Sequence, residues 1–327
     1  MLTEQRAEEQ QLAEVDQELL ALLRRRMDLS VKAGGGSSGY VRCRAAMAAR
    51  RQPVADPRVV YQGVPGAYSE MAAISFFGPT VRCQGLETFE EVFEAVSRGE
   101  ADYAVLPIEN SSTGAIRQVY ELLTQYEHYI VGEDTVKVEH CLMAPKGAAL
   151  DTITHVYSHE QGLFQSDRFL SQHPEWEQMP FGDTAGSAQY VAETGDITKA
   201  AICSARAAEL YGLEILHRGT NHNKNNTTRF VVVSPVMELR PGADKISAVL
   251  TTPHEVGSLQ RILTICLLHG LNLVKLESRP MPGKSWEYLF FLDFAGSLQA
   301  PGMEQALEDL ARSTAYLRIL GNFKNSL

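Results

Sequence analysis

Between Val59 and Val233 the sequence alternates short apolar runs with longer stretches whose apolar residues recur at helical spacing. No other feature restricts the fold so tightly. Residues 59–62, 101–108, 153–158, 200–203 and 230–233 have the length and the β-branched or aromatic content of strands. Helices are expected from about Ser69 and over 89–98, 116–125, 161–172, 184–193 and 204–211. Strands separated by helices predict an α/β domain with a largely parallel sheet. Residues 235–244, rich in proline, glycine and charge, mark a boundary. Beyond it the expected order is strand 245–252, helix 257–269, strands 272–278 and 287–294, helix 303–313 and strand 316–321, a βαββαβ ferredoxin-like unit.

Ahead of this region, Leu12, Val15, Leu19, Leu22 or Leu23, and Met27 predict one amphipathic helix over 8–33. It stops at Gly34-Gly35-Gly36-Ser37-Ser38-Gly39, a run that cannot pack and reads as a flexible linker. Residues 40–52 read as helical again until Pro53 and Pro57. A chain of 327 residues divides into two or three domains. Its formal charge of -10 argues against a nucleic-acid partner, because phosphate binding needs a basic face. The short basic stretch of Arg42, Arg44, Arg50 and Arg51 reads as a solvated helix or linker. Five cysteines (Cys43, Cys83, Cys141, Cys203 and Cys266) are spread without a CxxC pair, as in a reducing compartment, and no zinc spacing occurs. Residues 1–18 are acidic and polar, unlike a secretory signal, and no apolar run approaches the roughly 20 residues that span a bilayer. A cytoplasmic protein with no membrane association is expected.

Ligands of α/β sheets bind beyond the carboxyl ends of strands, and polar residues gather there in this chain. Gly63-Val64-Pro65-Gly66-Ala67-Tyr68-Ser69-Glu70 joins a strand to a helix, as an anion site or as ordinary capping by Ser69 and Glu70. Pro107-Ile108-Glu109-Asn110-Ser111-Ser112-Thr113-Gly114 sets five polar side chains directly after a buried strand, either a binding loop or a simple turn. Ser158-His159-Glu160-Gln161-Gly162 and Asp183-Thr184-Ala185-Gly186-Ser187 open further helices, the second with capping by Asp183 or Thr184. His155 and His159 have no third ligand nearby, so no metal is expected. Asn225-Asn226-Thr227-Thr228-Arg229-Phe230 puts amides, hydroxyls and one cation at the entry to strand 230–233. Glu277-Ser278-Arg279-Pro280 reads as a polar turn after the strand-like 271–276. There is no Gly-x-Ser-x-Gly elbow, phosphate loop or dinucleotide glycine fingerprint. Such a site should take a small polyanion and work with neutral polar donors.

These runs resemble a known family. Residues 59–234 resemble prephenate dehydratase, and 244–323 resemble the ACT regulatory domain fused to it. The resemblance rests on Tyr61-Gln62-Gly63-Val64-Pro65-Gly66-Ala67-Tyr68-Ser69-Glu70, on Ala101-Asp102-Tyr103-Ala104-Val105-Leu106-Pro107-Ile108-Glu109-Asn110-Ser111, and on Val156-Tyr157-Ser158-His159-Glu160-Gln161. Thr227-Thr228-Arg229-Phe230 and Glu277-Ser278-Arg279-Pro280 complete it. It implies a two-lobed α/β catalytic domain over 58–236, like type II periplasmic binding proteins, with lobes 58–133 plus 213–236 and 134–212. The implied reaction converts prephenate to phenylpyruvate, water and carbon dioxide without a cofactor. Thr228 is implied to assist departure of the ring hydroxyl, Asn110 and Gln161 to orient the ring and leaving group, and Arg229 and Glu109 to flank them. Ser69, Ser111 and Thr184 are weaker candidates for binding carboxylate. L-phenylalanine is the implied effector, held by Gly257-Ser258-Leu259-Gln260 and by Glu277, Ser278, Arg279 and Pro280, although Glu277 and Arg279 also suit a plain ion pair. Such pockets form between subunits, so a homodimer or homotetramer is implied. Residues 1–57 resemble a truncated chorismate mutase: 8–33 match its first helix, with Arg26 at a cationic position, but the remaining cations are missing and no mutase activity is expected. Arogenate dehydratase and a non-catalytic amino-acid sensor are the alternatives.

Overall fold

The computed structural model describes residues 50–326 except Pro282 and Ser285, together with Gln11, Glu14, Val15, Gln17, Glu18, Ala21, Leu22 and Arg25, which are helical and exposed. The rest of the expected helix 8–33, with Arg26, the linker 34–39 and most of 40–52 lie outside the described residues. The described residues divide into two compact units, one formed by 53–235 with 325–326 and the other by 236–324 with 50–52. Among the described residues no helix is long and apolar enough to cross a membrane.

The first unit contains two sheets. One is built from β1 (Arg58–Gln62), β2 (Arg82–Leu86), β3 (Tyr103–Asn110), β4 (Gly114–Ala115) and β5 (Tyr129–Lys137). The second takes β6 (His140–Ala144), β7 (His155–Ser158), β8 (Glu177–Pro180), β9 (Lys199–Ser204) and β10 (Glu214–Arg218), and β11 (Thr227–Ser234) returns to the first. The orders are β2-β1-β3-β11-β5, with β4 folded back on the end of β3, and β10-β6-β9-β7-β8. Both sheets are mixed rather than largely parallel. β11 runs antiparallel to β3 and β5, and β6 runs antiparallel to β9 and β10. Apolar periodicity reports burial, not strand direction, so the returning strands could not be oriented from sequence.

The chain crosses to the second sheet between Lys137 and His140 and comes back between Arg218 and Thr227. The expected crossings at 133 and 213 are thus shifted, because β5 continues to Lys137 and residues 214–218 pair with β6. The strands that composition did not mark include β5, the inner and wholly buried β6, and β2, β8 and β10, sheet edges with partly buried or exposed residues. Edge strands need no continuous apolar run.

Helix starts follow local chemistry. α1 (Tyr68–Phe77) comes next in the chain after β1. α2 (Phe89–Ser97) has a complete capping box from Thr88 and Glu91, and α3 (Arg117–Gln125) follows β4. The expected helix 161–172 is broken at buried Ser166, whose hydroxyl bonds that of Thr220 at 2.9 Å, into α4 (Glu160–Gln165) and α5 (Asp167–Leu170). α6 (Thr184–Thr194) is capped by Asp183 and α7 (Ala205–Tyr211) by Ser204, and each ends at a left-handed glycine, Gly195 or Gly212.

The second unit has β12 (Lys245–Thr251), α8 (Ser258–Leu268), β13 (Asn272–Pro280), β14 (Tyr288–Ala295), α9 (Met303–Arg312) and β15 (Tyr316–Phe323). Its sheet order is β13-β14-β12-β15 with every pairing antiparallel, the βαββαβ arrangement expected from sequence. Glu277-Ser278-Arg279-Pro280 is not a turn: it completes β13, where Glu277 and Arg279 share a face and pair at 2.9 Å.

Candidate active site

A cavity of about 440 Å³ opens in the first unit and is lined from both of its sheets. Asn110 and Thr228, the last residue of β3 and the second of β11, lie directly opposite each other in the antiparallel register. Both are buried and both line the cavity. The Asn110 amide is oriented by the turn that follows it: Oδ1 accepts the backbone N–H groups of Ser112 (2.9 Å) and Thr113 (3.1 Å). Its Nδ2 must then face inward, where it donates to Thr228 Oγ1 and to Asn226 Oδ1, each at 2.8 Å. Thr228 is thereby an acceptor for Asn110, and its own proton has no acceptor among the described residues, so it is available to a ligand.

The polar chain continues along the cavity wall, which Gln165, His140 and Tyr68 also line. Asn226 Nδ2 donates to Gln165 Oε1 at 2.9 Å, and His140 Nε2 lies 3.0 Å from the same oxygen. Because that oxygen can only accept, His140 carries its proton on Nε2; its Nδ1 lies 3.2 Å from the Tyr68 hydroxyl, which donates to the Glu139 carbonyl at 2.9 Å. Burial lowers the His140 pKa to about 4, opposed by the Gln165 hydrogen bond, so the ring is neutral near neutral pH. A histidine neutral in the fold and ordinary when unfolded binds more protons unfolded, so stability falls as pH drops from about 6.5 towards about 4. Between about pH 7.5 and pH 5 the expected loss is about 2 kcal/mol. Urea melts at both pH values should show that slope, and His140→Gln should remove this part of it.

Gln161, expected to orient a ligand, lies on the rim at the exposed start of α4; its backbone N–H bonds His159 Nδ1 at 3.2 Å. Gln165, one turn on, is the one buried glutamine among the described residues. Sequence reasoning missed Gln165 and His140, and named Asn226 and Tyr68 only within their runs, with no role. Only the i, i+4 spacing of the two glutamines pointed to Gln165. Ser69 and Thr184 line the cavity from the first turns of α1 and α6. The α1 N-terminus has no side-chain cap, so its first-turn N–H groups are open to an anion, while the Glu70 carboxylate in the same turn, bonded to the N–H of Gly66 at 2.8 Å, already answers part of the helix dipole. No lysine or arginine is among the described lining residues.

Three expected site residues are elsewhere. Ser111 is exposed and clamps the strand ends: its hydroxyl donates to the Asn225 carbonyl and accepts from the Thr227 N–H. Arg229 and Glu109 do not line the cavity. Side chains alternate across a strand, so with Thr228 facing in, Arg229 faces out. There its guanidinium lies 3.7 Å from Glu109 and 3.6 Å from the fully buried carboxylate of Glu133, which also accepts the Ser326 N–H at 2.8 Å. Among the described residues no cluster of three or more His, Cys, Asp or Glu could hold a metal. His155 pairs with Glu177 at 3.3 Å.

The family described as Prephenate dehydratase matches residues 59–238. The chain is 36% identical over 272 residues to a "Bifunctional chorismate mutase/prephenate dehydratase" of Enterobacter agglomerans, covering 81% of this chain and 70% of that one. It is 39% identical over 285 residues to "Arogenate dehydratase 3, chloroplastic" of Arabidopsis thaliana, covering 81% and 66%. Among solved structures, a prephenate dehydratase from Arthrobacter aurescens in complex with L-Phe is similar with TM-score 0.75 and 29% identity, over 82% of this chain and 90% of that one. A chain described as "GqqA- a novel type of quorum quenching acylases" gives TM-score 0.75 and 32% identity, over 82% and 98%. With a family match over more than half of its length and a polar site at the ends of the matched strands, this chain belongs to the prephenate dehydratase family.

Proposed function

We propose that the chain converts prephenate to phenylpyruvate in the cavity around Thr228. As the ring carboxylate leaves as carbon dioxide, its bond electrons enter the ring, and the bond to the ring hydroxyl breaks. Aromatisation makes the step downhill, and expelling hydroxide is the barrier. The observation that carries this reading is the Asn110 donation into Thr228 Oγ1, which strengthens Thr228 as a donor and leaves its proton for the leaving oxygen. Threonine is too weak an acid for full transfer before the bond breaks, so it acts as a hydrogen-bond donor to developing hydroxide. Ser69, Thr184 and the uncapped start of α1 suit the retained carboxylate. Phe89, Ile116, Val138 and Phe230 give the departing carboxylate an apolar wall, which favours loss of its charge.

Arogenate carries an ammonium where prephenate has a keto group. Asp183 is the one carboxylate among the described lining residues, and its Oδ1 caps α6 through the Gly186 N–H at 2.7 Å, so Asp183→Asn separates the two substrates: it should spare turnover of prephenate and weaken that of an ammonium-bearing one. Acyl transfer by a serine or threonine needs a paired base, and no described lining serine or threonine is bonded to a histidine ring.

Regulation by L-phenylalanine in the second unit is part of the proposal. Ser258 is buried at the start of α8 with an unpartnered hydroxyl, after left-handed Gly257, and Glu277 and Arg279 are half-buried nearer the end of β13. Leu263, Leu267, Val274 and Leu276 leave apolar surface on α8 and on the sheet-edge strand β13, which suits a homodimer or a tetramer. The test is phenylpyruvate formation from prephenate, with and without L-phenylalanine, and phenylalanine formation from arogenate, alongside chorismate consumption and sedimentation. Turnover of prephenate, suppressed by L-phenylalanine and without loss of chorismate, is expected. Binding of prephenate without product would leave the sensor reading instead.

A further inference from the structure

Asn226 is wholly buried where the chain returns from the second sheet to the first. Its Oδ1 accepts from Asn110, which ends β3 of the first sheet, and its Nδ2 donates to Gln165, which ends α4 beside β7 and β9 of the second. Its backbone carbonyl accepts the N–H of Val138 at 2.9 Å, in the outgoing crossing. One residue therefore joins both sheets and both crossings. The joint has a direction as well as a place. The backbone N–H groups of Ser112 and Thr113 take the Asn110 oxygen, so Asn110 offers nitrogen inward. Asn226 must answer with oxygen, its nitrogen then requires the oxygen of Gln165, and that oxygen requires the Nε2–H of His140. Each group can satisfy its neighbours in one orientation only.

We propose that Asn226 is a positioning residue that makes the aim of the Thr228 hydroxyl depend on the registry of the two sheets. When the sheets are in register, Asn226 holds the Asn110 amide against Thr228 and turns the threonine proton into the cavity. When they separate, the Asn226 amide cannot serve Asn110 and Gln165 together. The Asn110 amide then keeps the bonds of its oxygen to Ser112 and Thr113 but loses the partner that holds its nitrogen in place, and the donor to Thr228 is free to swing. The enzyme would thus present its proton donor only around an enclosed substrate. This inference rests on the reading of Thr228 as the donor to the leaving hydroxyl.

Steady-state turnover of prephenate by wild type, Asn226→Ala and Asn226→Asp tests it, with melting curves on all three. Alanine removes both contacts. A loss in kcat of about 100-fold with KM within about threefold is expected, the scale of a misaimed catalytic group. Aspartate keeps an acceptor for Asn110, and the Gln165 amide can donate to it once it turns over and His140 moves its proton from Nε2 to Nδ1, so kcat should stay within about tenfold of wild type. A residue that only supports the fold would lower the melting temperature and leave kcat of the folded fraction unchanged. Wild-type kcat in Asn226→Ala, a loss confined to KM, or equal loss in both variants would overturn the proposal. If alanine prevents folding, the isosteric aspartate variant decides alone: kcat as low as the detection limit with a native melting curve rejects the role. A wild type that binds but does not turn over prephenate would instead remove the reading of Thr228 itself, and this inference with it.

Discussion

Thr228→Val is expected to lower kcat for phenylpyruvate formation by about 10²–10³-fold, the usual effect of deleting one hydrogen-bond donor aimed at developing negative charge. Valine keeps the β-branched shape in strand β11 and removes only the hydroxyl, so folding should change little beyond one buried amide of Asn110 losing an acceptor. KM should move by less than about threefold, because the hydroxyl matters most when the leaving oxygen gains charge. Thr228→Ser should keep activity within about tenfold, since its oxygen can still accept from Asn110. Stopped assays with purified variants would decide. A valine variant retaining most of wild-type kcat would move the donor role to another lining residue.

Arg229→Met is expected to act on stability instead. The guanidinium is buried between Glu109 and the wholly buried Glu133, on the face of β11 away from the cavity. Removing the cation from a buried pair costs about 3 kcal/mol or more, because the remaining carboxylate keeps its desolvation penalty. That is a large share of the total stability of a domain. Denaturant midpoints should fall accordingly, while KM of the folded enzyme at low temperature stays within about threefold. An arginine that clamps a substrate carboxylate would give the reverse, a KM raised by orders of magnitude with little change in the midpoint. The same midpoint measured for Glu109→Gln should move much less, because Glu109 is partly exposed.

The contrast between these neighbours shows what was legible. The apolar run 230–233 was visible in the sequence, but the strand starts at Thr227. Extending the alternation three residues back would have put Thr228 and Phe230 on one face and Arg229 on the other. The polar opening of the strand hid it, because hydroxyls and amides are also what loops are made of. Glu109 and Asn110 were misread for the same reason: both belong to β3, and its pairing with β11 sets one into the cavity and the other against Arg229. Glu277-Ser278-Arg279-Pro280 repeats the pattern at the end of β13.

The sequence by itself determined the buried strands β1, β3, β7 and β9 and the apolar centre of β11, the helix starts written in Thr88, Asp183 and Ser204, and the βαββαβ order after residue 244, but not the buried β6. Each of these depends on residues within a few positions of one another, where periodicity and capping act. Which of Gln161 and Gln165 enters the buried chain, that Asn226 meets Asn110 across 116 positions, and that His140 is held neutral were decided by the tertiary structure. Those outcomes follow from two sheets bringing distant amides into hydrogen-bond range and excluding water from them, a condition that no local pattern encodes.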